Sequence, residues 1–313
     1  MDSRAAKKVV YAAVVANVAI AVGKFVAAAV TRSSAMAAEA VHSTVDTGNE
    51  LLLLWGMKRS QRPPDPLHPF GHGKALYFYS LLVAVYIFGV GGAWTIYQGI
   101  SRLRHPIPPE YRVWNYVVLA LAAIFELYSW TISYRELLRR KDPDESTWDE
   151  IIGSKDPVIF TVFLEDSAGL AGTVLAFLGI FGAQMLHRWY IDPAASILIG
   201  LLLAAVAVLL GRESGALLLG ERTNRARIKM VKDILRQDPA VEQVGDLLTM
   251  QLGPEQVLLN VDIRFRGGLD VRQLESAVDR IEKQIREKEP SIERIFIEAD
   301  SLKGMAGKSQ KAA

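Results

Sequence analysis

The chain of 313 residues contains no cysteine. That excludes a disulfide framework, a thiolate zinc site and a cysteine nucleophile. Histidine is scarce, with five in all, so a metal site here must be built from imidazole and carboxylate. Charge of one sign is also lacking. A net charge of +2 leaves no positive excess to neutralise phosphates, which argues against a basic nucleic-acid binder. No nucleotide-binding motif is present: the Gly89–Gly92 stretch GVGG follows no strand. What is abundant is apolar surface. Half the residues are hydrophobic and the mean hydropathy is +0.18, which a disordered chain does not reach. The charged residues, 22% of the chain, are spread unevenly, so the chain is read in segments.

Residues 1–220 hold long apolar runs. A helix needs about 20 apolar residues to cross about 30 Å of hydrocarbon. Six segments qualify: Val9–Val30, Ser34–Met57, Ala75–Ile100, Trp114–Tyr134, Val158–Leu178 and Pro193–Leu210. The first follows Arg4, Lys7 and Lys8 like a secretory signal, but it is longer than a signal's apolar core and contains Lys24. It reads as a span. With the N-terminus inside, the cytoplasmic segments carry Arg4, Lys7, Lys8, Lys58, Arg59, Arg62, Arg135, Arg139, Arg140, Lys141 and Lys155, against Arg32, Arg102, Arg104, Arg112 and Arg188 outside. The bias puts both termini in the cytoplasm.

Charge inside lipid costs roughly 2.5–3.5 kcal/mol per group even on the lenient scale. In the second span, Glu39, His42, Asp46 and Asn49 recur at helical spacing and share one face. A neutral hydrogen-bond network would need only Ser, Thr and Asn, so the stripe reads as a metal or proton pathway. The fifth span carries Glu165 beside Asp166, amid Ser167, Ala168, Gly169, Ala171 and Gly172 that permit close helix approach. Adjacent carboxylates call for a cation or a proton. Packing this helix on the second would assemble His42, Asp46 and Asp166, a donor set suited to Zn²⁺.

The other polar groups have plainer readings. Asn17 and Lys24 share a face, and Lys24 pairs with a carboxylate such as Glu126. GVGG is a helix-packing surface. Asp192 is a cap or first-turn residue of the sixth span. The loop after the second span holds Asp65, His68 and His72, which read equally as a second metal site or as a rigid connector. Asp142, Asp144, Glu145, Asp149 and Glu150 read as a solvated mixed-charge loop.

After Arg222 the pattern becomes that of a soluble domain. A helix over 225–237 presents Ile228, Val231, Ile234 and Leu235; strands follow over Leu247–Leu252 and Val257–Phe265; Asp270 caps a helix to Lys288; a last strand covers Ile292–Glu298. The order αββαβ is an α+β unit of one small core. It has no histidine or cysteine, and Asp262, Glu298 and Asp300 read as surface carboxylates. The tail beyond Lys303 reads as disordered. The expected fold is an all-α six-helix transmembrane domain over 1–220, a small α+β domain over 221–303 and a tail over 304–313.

The whole arrangement resembles the cation diffusion facilitator family of metal-ion/proton antiporters. The resemblance rests on His42-Ser-Thr-Val-Asp46, on HPFGHGK over His68–Lys74 and on Asp166, and it covers nearly the whole chain. It implies a ferredoxin-like cytoplasmic domain, a homodimer in the lipid bilayer, and transport of divalent ions in exchange for protons rather than enzymatic chemistry. His42, Asp46 and Asp166 are implied as the intramembrane site. The family's usual histidine four residues before Asp166 is replaced by Val162, and Glu165 stands beside Asp166, as in the branch resembling the animal zinc transporter 9 group. The fourth ligand is then Glu165, Asn49 or a water. Asp65 and His72 match the family's interfacial site, with His68 nearby. Arg264 and Glu298 stand where the family often has regulatory histidines, so a regulatory site is expected to be weak or absent. Zn²⁺ is the expected transported ion, with Mn²⁺, Fe²⁺, Co²⁺, Ni²⁺ and Cd²⁺ as alternatives. Two readings outside transport are an intramembrane enzyme using Glu165 and Asp166, and a non-transporting metal sensor.

Overall fold

The computed structural model describes residues 18–105, 113–140 and 155–299. Among the described residues six helices come first: α1 Val18–Thr31, α2 Ser34–Ser60, α3 Ala75–Arg104, α4 Val113–Arg140, α5 Pro157–Leu186 and α6 Ile191–Leu219. Four of them, α3 to α6, are long and apolar enough to cross a membrane by length and composition. The described part of the first expected span is the shorter apolar helix α1; Asn17 and the residues before it lie outside the described residues. Helix α2 has the length of a span but carries the polar stripe. Its N-terminal half is buried nearly all round, from Ser34 to Val45. A helix enclosed by other helices has no need of a lipid-like surface, which is why α2 tolerates Glu39 and His42. The outward faces of the other helices are apolar, with Val85, Ile124 and Val208 exposed.

Local chemistry sets the helix ends. Asp156 caps α5 by accepting from Val158 N at 3.1 Å, with Pro157 in the first turn, where its missing N–H costs nothing. Ser33 Oγ caps α2 through Met36 N. Asp192, in the first turn of α6, does more than that turn requires. Its carboxylate accepts from Ser33 Oγ, Ser34 Oγ and the backbone N–H groups of Ser34 and Ala35. It is an anion seated on the positive end of α2. Within α3 the hydrogen bonding widens to a π-type turn over Ile87–Ala93, the stretch that contains GVGG. As expected, this stretch packs on a neighbour: a Cβ at Gly92 would lie 3.1 Å from Ala204 of α6.

The C-terminal elements are α7 Arg225–Gln237, β1 Val241–Gly253, β2 Gln256–Phe265, α8 Val271–Lys288 and β3 Ile292–Ala299. This is the αββαβ order read from the sequence. The sheet order is β1-β2-β3, antiparallel between β1 and β2 and parallel between β2 and β3. Asp270 and Gln273 form a capping box on α8. One core joins Val231, Ile234 and Leu235 of α7, the alternating Val257, Leu259, Val261 and Ile263 of β2, and Ile281 and Ile285 of α8. Strand β1 begins at Val241, six residues before the expected start. Its register shifts between Val244 and Leu247 explain why the alternation there is broken in sequence. Asp262 is buried rather than on the surface, because it sits on the central strand, in register with Glu298 of β3. Asp300, the tail and the five carboxylates of the 142–150 loop lie outside the described residues.

The chain divides into two compact units. One reaches Arg59 and resumes over Ala75–Gly215; the other combines Ser60–Lys74 with the chain from Ala216 onward. The loop after α2 therefore belongs with the C-terminal unit. Gly73 packs so closely on Leu252 O of β1 that a Cβ there would overlap it, and Lys74 Nζ reaches Leu218 O at 3.4 Å.

Candidate metal centres

Helix α2 lays Glu39, His42, Asp46 and Asn49 along one stripe, and α5 meets it with small residues. A Cβ at Gly169 would stand 3.1 Å from His42 Nε2, and one at Gly172 would stand 2.5 Å from Glu39 Oε1. The small residues let the two helices approach closely here. Farther along, Glu165 of α5 accepts from Asn49 Nδ2 at 2.7 Å. His42 Nδ1 lies 3.4 Å from Asp46 Oδ1. Both ring nitrogens of His42, Asp46 Oδ1 and Asn49 Oδ1 are buried without a hydrogen-bond partner. Buried polar atoms are nearly always paired, so four unpartnered ligand-type atoms mark this stripe as a candidate site. Imidazole nitrogen and carboxylate oxygen are donors that suit a divalent cation.

Asp166 is placed differently from the expectation that it joins His42 and Asp46. It is turned toward α4, where its Oδ2 accepts from Ser129 Oγ at 2.9 Å and Ser133 Oγ at 3.0 Å. One residue along a helix is about 100° of rotation. The face of α5 that meets α2 runs through Glu165, Gly169 and Gly172, and Asp166 therefore falls on the α4 side. Ser129 and Ser133, one helical turn apart on α4, went unread in the sequence, since a hydroxyl pair in an apolar helix is indistinguishable from ordinary back-bonding to carbonyls.

The expected partner of Lys24 is found, together with a second. Lys24 Nζ donates to Glu126 Oε1 at 3.0 Å and to Glu39 Oε2 at 2.9 Å. Thr173 of α5 closes the group through Glu126 Oε2 at 2.8 Å.

In the loop, Asp65, His68 and His72 offer ligand atoms all within 4.8 Å of one another, and no other such group of three occurs among the described residues. His68 Nδ1 is 3.1 Å and His72 Nε2 3.4 Å from the Asp65 carboxylate. The turn is rigid: Asp65 Oδ1 accepts from the N–H groups of Leu67 and His68, and Gly71 adopts φ +86°. Partial desolvation pushes the Asp65 carboxyl up, but the hydrogen bonds from His68 and Leu67 outweigh it and hold it below the usual carboxylate range. It is therefore ionised near neutral pH, and both histidines face it.

The cation efflux transmembrane domain matches residues 10–219, and the cation efflux protein cytoplasmic domain matches residues 224–302. Similar proteins include the mouse proton-coupled zinc antiporter SLC30A9, mitochondrial, 28% identical over 93% of this chain and 58% of the relative. The chain thus spans little more than half of that protein. The Arabidopsis thaliana metal tolerance protein C4 is 29% identical over 85% of the chain and 67% of the relative. The Bacillus subtilis manganese efflux system protein MneP is 23% identical over 93% and 94%. With both family domains matched in order along an apolar multi-helix unit and an α+β unit, the chain belongs to the cation efflux, or cation diffusion facilitator, family of multi-pass membrane metal transporters.

Proposed function

We propose that this protein moves a divalent metal ion, Zn²⁺ first, out of the cytoplasm in exchange for protons. The observation that carries the reading is the stripe of buried, unpartnered ligand atoms on α2: His42 Nδ1 and Nε2, Asp46 Oδ1 and Asn49 Oδ1. His42 and Asp46 hold the ion, with Asn49 farther along the same stripe and Glu165 opposite them on α5, and Asp166 completes the site when α5 moves relative to α4. In the described state Ser129 and Ser133 occupy Asp166. Exchanging those hydroxyls for the metal is a two-state change of the kind that alternating access needs.

The same groups bind protons. Metal binding displaces protons from imidazole and carboxylate, and protonation on the acid side expels the metal. Asp65, His68 and His72 form a second, interfacial metal site. Residues 1–220 act as the transport domain and 221–303 as a cytoplasmic dimerisation domain, so that the protein works as a homodimer with both termini in the cytoplasm. The names of the mouse and plant relatives, a zinc antiporter and a metal tolerance protein, support this reading. The manganese name of the bacterial relative favours Mn²⁺ as the competing substrate. Imidazole from His42 weighs toward Zn²⁺. Transport in proteoliposomes with Zn²⁺ and Mn²⁺ in competition tests the choice. Zinc flux suppressed by excess Mn²⁺, with manganese carried at the greater rate, overturns it.

A further inference from the structure

The proposed transport site leaves a second buried polar group without a role. One helical turn from His42, toward the start of α2, Glu39 is withdrawn from solvent together with Lys24. Lys24 bridges Glu39 and Glu126, and Thr173 lies against both carboxylates, at 3.2 Å and 2.8 Å. A structural ion pair needs one carboxylate for one ammonium, and burying another is expensive. Here two carboxylates share one lysine. Glu39 Oε1 has no donor at all and points across Gly172 of α5. His42 Nε2, also unpartnered, and Glu126 Oε2 converge over Gly169, lying 3.1 Å and 3.6 Å from the position of its absent Cβ. An open carboxylate oxygen, an open imidazole nitrogen and a second carboxylate thus line one stripe of α5, with two carboxylates to one ammonium, although the three ligand atoms do not all lie within 4.8 Å of one another.

We propose that Glu39 and Glu126, with His42 Nε2, form a second station for the divalent ion in its path, and that the Lys24 ammonium is a tethered cation that fills the station between ions and speeds the ion's departure. This rests on the transport reading above. His42 belongs to both stations: Nδ1 faces Asp46 and Nε2 lies over Gly169 beside Glu126, and Glu39 and His42 are separated by about 4.5 Å of helix rise. The ion leaves the nitrogen that faces Asp46 before the other takes it up, so the two stations share the residue but not the bond. Two carboxylates and an imidazole alone would hold Zn²⁺ tightly, whereas conduction requires sites weak enough to leave. A lysine fixed beside the station supplies the repulsion that keeps the ion's stay short.

The test is Lys24→Met, which keeps the length of the side chain and removes its charge, in full-length protein. Zn²⁺ is titrated calorimetrically in micelles, and flux is read in proteoliposomes. The station predicts one Zn²⁺ per protomer beyond the wild-type number, lost again when Glu39→Gln is added, with flux reduced about tenfold or more because the ion is trapped, a change equivalent to about 1.4 kcal/mol. Wild-type stoichiometry in monodisperse Lys24→Met protein overturns the proposal. Should that variant fail to fold, Glu39→Gln alone serves, since it leaves a neutral Lys24–Glu126 pair. About tenfold lower flux with unchanged affinity at the Asp46 site supports the station, and wild-type flux overturns it. The transport reading stands or falls separately, on whether the wild type carries zinc and Asp46→Ala does not.

Discussion

Replacing Asp192 by alanine removes the anion that holds the start of α2. The carboxylate accepts from Ser34 N at 2.7 Å and Ser34 Oγ at 2.9 Å, from Ser33 Oγ, and at 3.4 Å from Ala35 N. It is buried, and so are Ser33 and Ser34, so water cannot take its place cheaply. Each buried donor left without an acceptor costs about 1–3 kcal/mol. The hydroxyls can turn to other carbonyls, Ser33 Oγ still caps Met36 N, and the 3.4 Å contact is weak. The loss is then dominated by Ser34 N–H and the charge at the helix end, about 3 kcal/mol together. For a unit of this size that lowers the melting midpoint by about 6–12 °C. Asp192→Asn keeps one acceptor oxygen and loses the charge, so its cost is smaller, about 1 kcal/mol. The assay is thermal unfolding of the purified full chain in micelles, followed by Zn²⁺ titration at a temperature where the variant is folded. Because α2 carries His42 and Asp46, a loosened N-terminus also weakens zinc binding. A midpoint within about 2 °C of the wild type refutes the anchoring role, since it would mean that less than about 1 kcal/mol rests on this carboxylate.

Three further outcomes follow from the same geometry. Asp238 is buried and receives Arg280 Nε at 2.7 Å, Nη2 at 2.8 Å and Ala240 N at 2.9 Å, and these hold its carboxyl below the usual range. Arg280→Ala should cost the C-terminal domain about 1–2 kcal/mol, a bidentate pair discounted for the solvent-facing side of the arginine. A carboxyl lowered on folding stabilises above the unfolded value of about 4 and loses that contribution as pH falls through its folded value, so the wild type should lose stability over that window and Arg280→Ala should do so less steeply. In an Asp46→Ala background, adding Asp65→Ala or His72→Ala should remove one zinc equivalent per protomer, read by calorimetry; an unchanged count would show that the loop is only a connector.

Much of the fold could be read before the structure because its signals are local. The 3.6 pattern of Val231, Ile234 and Leu235, the alternation of Val257 to Ile263 and the Asp270 cap each lie within one element, and each reappears in the core or in a cap. Lys24 with Glu126 was legible for a different reason: a charge in an apolar helix has few partners to choose from. What was hidden depended on rotation and on neighbours. The side of α5 on which Asp166 falls is set by packing against α2 and α4, and a shift of one residue decides it. Asp192 caps a helix more than 150 residues away in sequence, a role that no spacing rule reveals. Asp262 alternates like a surface residue, yet it lies on the middle strand of three.

The central claim is that buried His42 and half-buried Asp46 carry a metal ion against protons. Its most direct test is paired recording of zinc uptake and lumenal pH in proteoliposomes holding the wild type or Asp46→Ala at equal protein density. The account predicts zinc movement matched by an opposite proton movement in the wild type, and neither above the empty-vesicle level in the variant. Proton-coupled zinc flux that survives in Asp46→Ala contradicts it.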